Sequence, residues 1–210
     1  MKIIATNLAK PTKIIWNGEE QNTGIYKYPV DTALRLEKES VANDIIADRR
    51  VHGGVYKACY LFSSVHYPYW KEKYPDLDWD WGMFGENLTV DGLDETKICI
   101  GAVYKIGTAK VQITQPREPC YKLGIRFGDQ KILKEFIDHG FPGTYVKILE
   151  EGEVSVGDTI ELIQESENPL TIHQFYQLLY AKTKDPKLIA LAIENEALPL
   201  RKREKLKKYQ

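Results

Sequence analysis

Two stretches of the chain carry residue types that could do chemistry. The first is ITQPREPCYKLGIR, Ile113 to Arg126, with the thiol of Cys120 at its centre. Pro116 and Pro119 each fix their own φ and lack a backbone donor, so a strand arriving through Val111 and Ile113 must stop there. Cys120 is then expected on a stiff turn at a strand end, a common place for a rigid scaffold to display a reactive group. Arg117 precedes it by three residues and Lys122 follows it by two. Neighbouring cations favour thiolate over thiol, and the thiolate is both a nucleophile and the soft ligand that molybdenum or copper accepts. Set against this is the reading of Cys120 as a small buried filler, a frequent fate of cysteine. The prolines and cations favour a functional thiol.

The second stretch is DRRVHGGVYKACYLF, Asp48 to Phe62. Gly53 and Gly54 allow positive φ or close approach of backbone to a ligand. Arg49, Arg50, His52 and Lys57 surround them. Glycines among cations suit a phosphate or another anionic group, and a plain glycine turn with a solvated basic rim is the competing description. FGENL, Phe84 to Leu88, sets Glu86 between Gly85 and Asn87, ahead of a strand-like LTV. A carboxylate there could orient a ligand or hold a backbone loop.

Composition bounds the remaining possibilities. At 210 residues the chain fits one ordinary domain, or one with a small appendage. A net charge of -1 argues against general polyanion binding, and so against nucleic acid as partner. No apolar run approaches the roughly 20 residues of a membrane span, and no export signal opens the chain. Three cysteines without CxxC spacing fit a reducing cytoplasm.

The elements that must position these groups are mainly strands. KIIATNLA and TKIIWNG are short β-like runs, the second closed by the turn signal Asn17-Gly18. GIYKYPV reads as a third strand with Lys27 solvated. VYKACYLF reads as a strand or a helix start, and Tyr67, Tyr69, Trp70 and Tyr74 beyond it as core and interface rather than a stacking platform. GAVYKIGTAKVQITQ predicts a hairpin through Gly107-Thr108, and GTYVKILEEGEVSVGDTIELI a second one turning at Glu151-Gly152. Between them, Asp129 as N-cap, the Ile132, Leu133, Phe136, Ile137 stripe and Gly140 predict a helix, with His139 complementing its dipole. From Asn168 onward three helices follow. Thr171 with Gln174 forms a capping box, Asp185-Pro186 opens the second helix, and a third runs from Leu198 into the basic RKREKLKK.

Taken together, HGG with its lysine (His52, Gly53, Gly54, Lys57), FGENL and QPREPCYKL (Gln115 to Leu123) resemble MOSC-domain proteins, named for the carboxy-terminal domain of molybdenum cofactor sulfurase. The similarity is greatest to the YiiM-like bacterial branch and covers nearly the whole chain; NDIIADRR departs from it by being bulky where a glycine-rich approach is expected. The resemblance implies a mixed, mainly β fold, a MOSC-type β-barrel over 1–165 with peripheral helices, and a three-helix region over 166–210. It implies a molybdopterin-type molybdenum cofactor with Cys120 as the metal ligand, in a reductase of N-hydroxylated compounds such as hydroxylaminopurines. Cofactor-binding residues would come from Arg49, Arg50, His52, Gly53, Gly54, Lys57, Phe84, Gly85, Glu86, Asn87, Arg117, Tyr121 and Lys122. Without a GxGxxG or flavin site in the chain, electrons would come from a partner flavoprotein. Two alternatives stay open: a cofactor or sulfur carrier with a persulfide on Cys120, and a molybdenum-free enzyme pairing Cys120 with His52.

Overall fold

A computed structural model describes residues 1–45 and 53–209. β1 (Lys2–Ala9) starts the chain, and β2 (Thr12–Trp16) and β3 (Glu19–Thr23) form a separate two-stranded hairpin. Asn17 and Gly18 turn it, with φ of 52° and 81°, the paired positive values that a two-residue hairpin loop requires. β4 (Lys27–Pro29) returns to pair with β1, and β5 (Leu34–Leu36) follows. Beyond a 3-10 turn at Val55–Lys57 come β6 (Cys59–Ser63), α1 (Tyr67–Lys73) and β7 (Leu88–Asp91). β8 (Val103–Ile106) and β9 (Ala109–Pro116) make the expected hairpin, and β9 leads into α2 (Tyr121–Phe127) and α3 (Ile132–His139). β10 (Thr144–Glu150), β11 (Gly152–Val154) and β12 (Ile160–Gln164) complete the strands. α4 (Ile172–Tyr180), α5 (Pro186–Glu194) and α6 (Leu200–Leu206) are the three C-terminal helices.

Eight strands form one sheet in the order β12-β8-β9-β10-β6-β7-β1-β4, antiparallel except between β6 and β7. This corrects the expectation of a closed barrel. The segment entering β12 touches the start of β1 through the isolated bridge of Lys2 with Thr159 and hydrogen bonds such as Ile160 N–H to the Met1 carbonyl (2.9 Å), but no β12–β1 ladder closes the sheet among the described residues. The hairpin expected at Glu151-Gly152 is also absent. Both edges of β10 are occupied, by β9 and β6, so β11 pairs with β5 and β12 with β8.

One core lies beneath the sheet and continues through the C-terminal helices, so Val111, Ile148, Phe175, Ile189 and Leu206 belong to a single buried cluster. A second, aromatic core joins α1, α2 and α3 through Phe62, Tyr67, Trp70, Phe84, Phe127 and Phe136. Phe62 and Phe84 have ring centroids 4.3 Å apart. Most helix ends follow their local signals, but α3 starts later than Asp129 predicted: its N-cap is Lys131, with no side-chain cap. Gln174 and Thr171 exchange reciprocal hydrogen bonds of 3.1 Å, and Asp185 accepts from the Lys187 N–H at 2.8 Å. Asp129 accepts the Lys131 N–H ahead of α3, and Gly140 ends that helix at φ 81°.

Candidate functional site

Pro116 ends β9, and Cys120 is extended (φ -132°, ψ 168°) immediately before α2. This short connection forms one wall of a cleft of about 700 Å³, counted out to its open mouth. Arg117, Glu118, Cys120 and Lys122 come from this wall, and Lys57, Ala58 and Tyr60 from the approach to β6. Phe84, Gly85 and Asn87 face them from the loop before β7, with Tyr145 of β10 and residues of the 23–27 and 44–45 segments, Lys27, Asp44 and Ile45 among them, in the rest of the lining. The two stretches picked out by their residue types therefore meet in space.

The cleft is electrically unusual. Arg117 is only 5% exposed, yet its guanidinium lies over Phe136 (5.2 Å) and Tyr60 (5.9 Å), and Nη1 has no hydrogen-bond partner among the described residues. Burial works against its charge, but Tyr60, Cys120 and Tyr145 outweigh that and hold its pKa above the ordinary value. Lys57 is pushed below the usual lysine range, first by burial and then by the charge of Lys202, while Glu118 and Cys120 pull the other way. Lys122 is buried and its ammonium lies 3.5 Å from the Asn22 carbonyl. Burial also raises the Tyr145 phenol to about 12.

The three cysteines are all free and differ sharply in setting. Cys59 is 1% exposed, and burial pushes its thiol far up. Cys99 is partly buried, its thiol raised by burial and by Glu165, and it does not line the cleft. Cys120 is partly exposed and faces the cations of the cleft.

Not every residue expected at the site lines it. Arg49, Arg50 and His52 lie outside the described residues. Gly53, Gly54 and Tyr121 do not line the cleft; Gly54 has φ 90°, and Tyr121 stacks on Trp16 at 4.6 Å with its hydroxyl on Gln21. Glu86 is fully buried behind the lining. It accepts from the Tyr67 hydroxyl, the Gly82 and Phe84 N–H groups (3.0 and 3.1 Å) and the Thr89 hydroxyl (3.0 Å). Its role is to hold the FGENL loop, although burial raises its pKa against those four donors. Gly85 adopts φ 79°, a conformation that strains any side chain, and a Cβ there would also sit a tight 3.3 Å from the Ile25 side chain. Asn87 lines the cleft, but its amide already bridges the Tyr60 N–H (3.2 Å) and Asp44 (2.9 Å).

Lys27, expected in solvent, is 5% exposed and ion-paired with Asp44. Asp44 also accepts from the Ala9 N–H at 3.0 Å, so one carboxylate ties β1, β4 and the FGENL loop together. Neither Lys27 nor Asp44 was marked by local residue pattern, nor were Tyr60 and Tyr145, since each meets the cleft through long-range strand pairing. His139, expected as a cation at the end of α3, is kept neutral. Burial, His66 (3.2 Å between ring nitrogens) and Lys73 push it down to about 4.

Among the described residues no group of three or more His, Cys, Asp or Glu side chains could hold a metal ion. Among those residues, a metal next to Cys120 finds no further ligand set, and a cofactor that brings its own ligands would supply one. The site suits such a group: one accessible soft donor, three cations and an orphaned buried guanidinium nitrogen.

Comparison with known proteins identifies the fold and the family. YflK of Bacillus subtilis is 36% identical over 196 residues, which is 93% of this chain and 88% of that protein. A Gibberella moniliformis protein named a reductase is 31% identical over 176 residues, 82% of this chain but 31% of its own length. The crystal structure of YiiM from Geobacillus stearothermophilus superposes with a TM-score of 0.82 at 29% identity, covering 99% of this chain and 98% of that one. The family model of the MOSC domain matches residues 48–161, from the segment ahead of the glycine pair to β12, and the chain belongs to the MOSC domain family.

Proposed function

We propose that this chain binds the molybdenum cofactor in the cleft and reduces N-hydroxylated compounds, with Cys120 as the protein ligand to molybdenum. The observation that carries the proposal is that Cys120, Lys57, Arg117 and Lys122 line one cleft, where Arg117 has a buried donor without a partner among the described residues. Lys57, Arg117 and Lys122 would hold the pterin phosphate by charge-assisted hydrogen bonds. Cys120 would add a soft thiolate to the cofactor's own sulfurs. The cleft opens to solvent and is lined by both apolar and charged side chains, as a small-molecule site requires. Glu86 and Asn87 keep the facing loop rigid, which preserves the geometry of the opposite wall. When bound, the cofactor supplies the two-electron chemistry that removes oxygen from the N–OH group. A separate flavoprotein would deliver the electrons.

The test is molybdenum and pterin content of protein made in cofactor-competent cells, followed by reduction of a hydroxylaminopurine with a chemical electron donor. Bound cofactor with turnover supports the reductase. Bound cofactor or a persulfide on Cys120 without turnover assigns a carrier instead. Protein purified without molybdenum or pterin overturns both.

A further inference from the structure

Two carboxylates, Asp44 and Glu118, line the cleft, and each is ion-paired with a lysine. For Asp44 the lysine is Lys27 on β4, within the sheet. For Glu118 it is Lys202, on α6 at the far end of the chain. A carboxylate at the mouth of an anion site repels the anion unless it is neutralised, and the effect is large where solvent is partly excluded. The C-terminal helices are already against this wall: α4 packs on β9, and Tyr176 of α4 lies close enough to feel the charge of Arg117. The side chain of Lys202 is 19% exposed and that of Glu118 47%. The field of Lys202 also reaches the opposite wall, where it acts on Lys57.

We infer that Lys202 keeps the cleft selective for anions by neutralising Glu118, so that the C-terminal helices complete the electrostatics of the site. Lys202 acts as a positioning and charge-compensating residue without touching the anion. This inference rests on the cleft being an anion site, as proposed above, but not on the anion belonging to a molybdenum cofactor.

The probe is inorganic pyrophosphate, titrated calorimetrically into the purified full-length protein. An uncompensated unit charge on the order of 10 Å from the anion changes affinity roughly two- to fifteenfold per anionic charge for effective dielectric constants of about 80 down to 20, reduced by salt screening at that distance. Lys202→Met should therefore bind pyrophosphate about fivefold more weakly, while Lys202→Arg keeps the parental affinity. Combining Glu118→Gln with Lys202→Met should restore affinity to within about twofold, because no carboxylate is left to compensate. Glu118→Gln alone should bind at least as tightly as the parent, a result that does not depend on whether the Lys202 variants fold. Unchanged affinity in Lys202→Met overturns the inference. So does a double variant as weak as Lys202→Met, which would mean that Lys202 contacts the anion directly. Absence of pyrophosphate binding by the parent removes the anion site and the inference with it. The expected pattern in protein that never acquires molybdenum or pterin supports the inference and counts against the cofactor proposal alone.

Discussion

Replacing Arg117 with methionine separates a ligand-holding cation from a structural one, because the two roles predict opposite balances of stability and binding. Methionine keeps the flexible apolar stem and fills the space over Phe136, so the aromatic core stays packed. In the empty protein the exchange removes a buried donor without a partner, Nη1, whose desolvation costs about 1–3 kcal/mol. It also forfeits cation–π contacts at 5.2 and 5.9 Å, worth about 0.5–2 kcal/mol. These terms nearly cancel, and urea unfolding of the cofactor-free variant should lie within about 1 kcal/mol of the parent. Binding moves the other way. A hydrogen bond from a charged group is worth about 1.5–3 kcal/mol, so the affinity for pyrophosphate should fall about ten- to a hundredfold. Pterin and molybdenum content should drop in parallel. Calorimetry, pterin fluorescence after oxidation and metal analysis give the three readouts. A variant that is folded, retains parental affinity and is fully loaded with molybdenum would make Arg117 a structural cation only. A variant destabilised by several kcal/mol would do the same.

Three further outcomes follow from the geometry. Cys120→Ser should abolish N-hydroxyl reduction and bound molybdenum while the fold persists, since a hydroxyl is nearly the size of a thiol but a much harder ligand; the same exchange at Cys99, or at the buried Cys59, should leave most specific activity in the folded fraction. Glu86→Ala strands four donors, from α1, β7 and the turn at Gly82 and Phe84, and should cost roughly 3–5 kcal/mol by chemical denaturation; a loss below about 1 kcal/mol would show that the carboxylate does not hold the loop. His139 has a folded pKa of about 4, below its unfolded value of roughly 6.5, so it stabilises the fold above pH 6.5 and that contribution is lost as pH falls towards 4. Allowing for its partial exposure, His139→Gln should remove about 1–2 kcal/mol of the acid-side dependence measured by urea unfolding from pH 7 to 4.

Local signals were legible wherever a short stretch satisfies its own requirements. Asn17-Gly18 supplies the positive φ values of its turn, Thr171 and Gln174 cap their own helix, and Gly107 closes a hairpin between adjacent strands. The aromatic run from Tyr67 to Tyr74 reads as core because no basic surface accompanies it, and Tyr67 and Trp70 are indeed buried. The helix after Cys120 was missed. Its seven residues carry no capping pattern, and its position is set by Tyr121 stacking on Trp16, about a hundred residues earlier in the chain.

What the sequence by itself determined is the chemistry on offer: a thiol between prolines and cations, a glycine pair in a basic segment, and a carboxylate within FGENL. Their order and spacing identify the family, because each motif is local. Only the tertiary structure decided which of these groups share a cleft and in what state. Lys27 looks like an ordinary strand lysine until β4 pairs with β1 and brings it to Asp44. Glu86 looks available to a ligand until α1, β7 and its own loop surround it with four donors. The open sheet and the β5–β11 pairing depend on which strand edges are already occupied, a property of the whole assembly that no local pattern encodes. The charge of the cleft is settled in the same way, since Glu118 meets Lys202 only when the last helix folds back onto the turn beside Cys120.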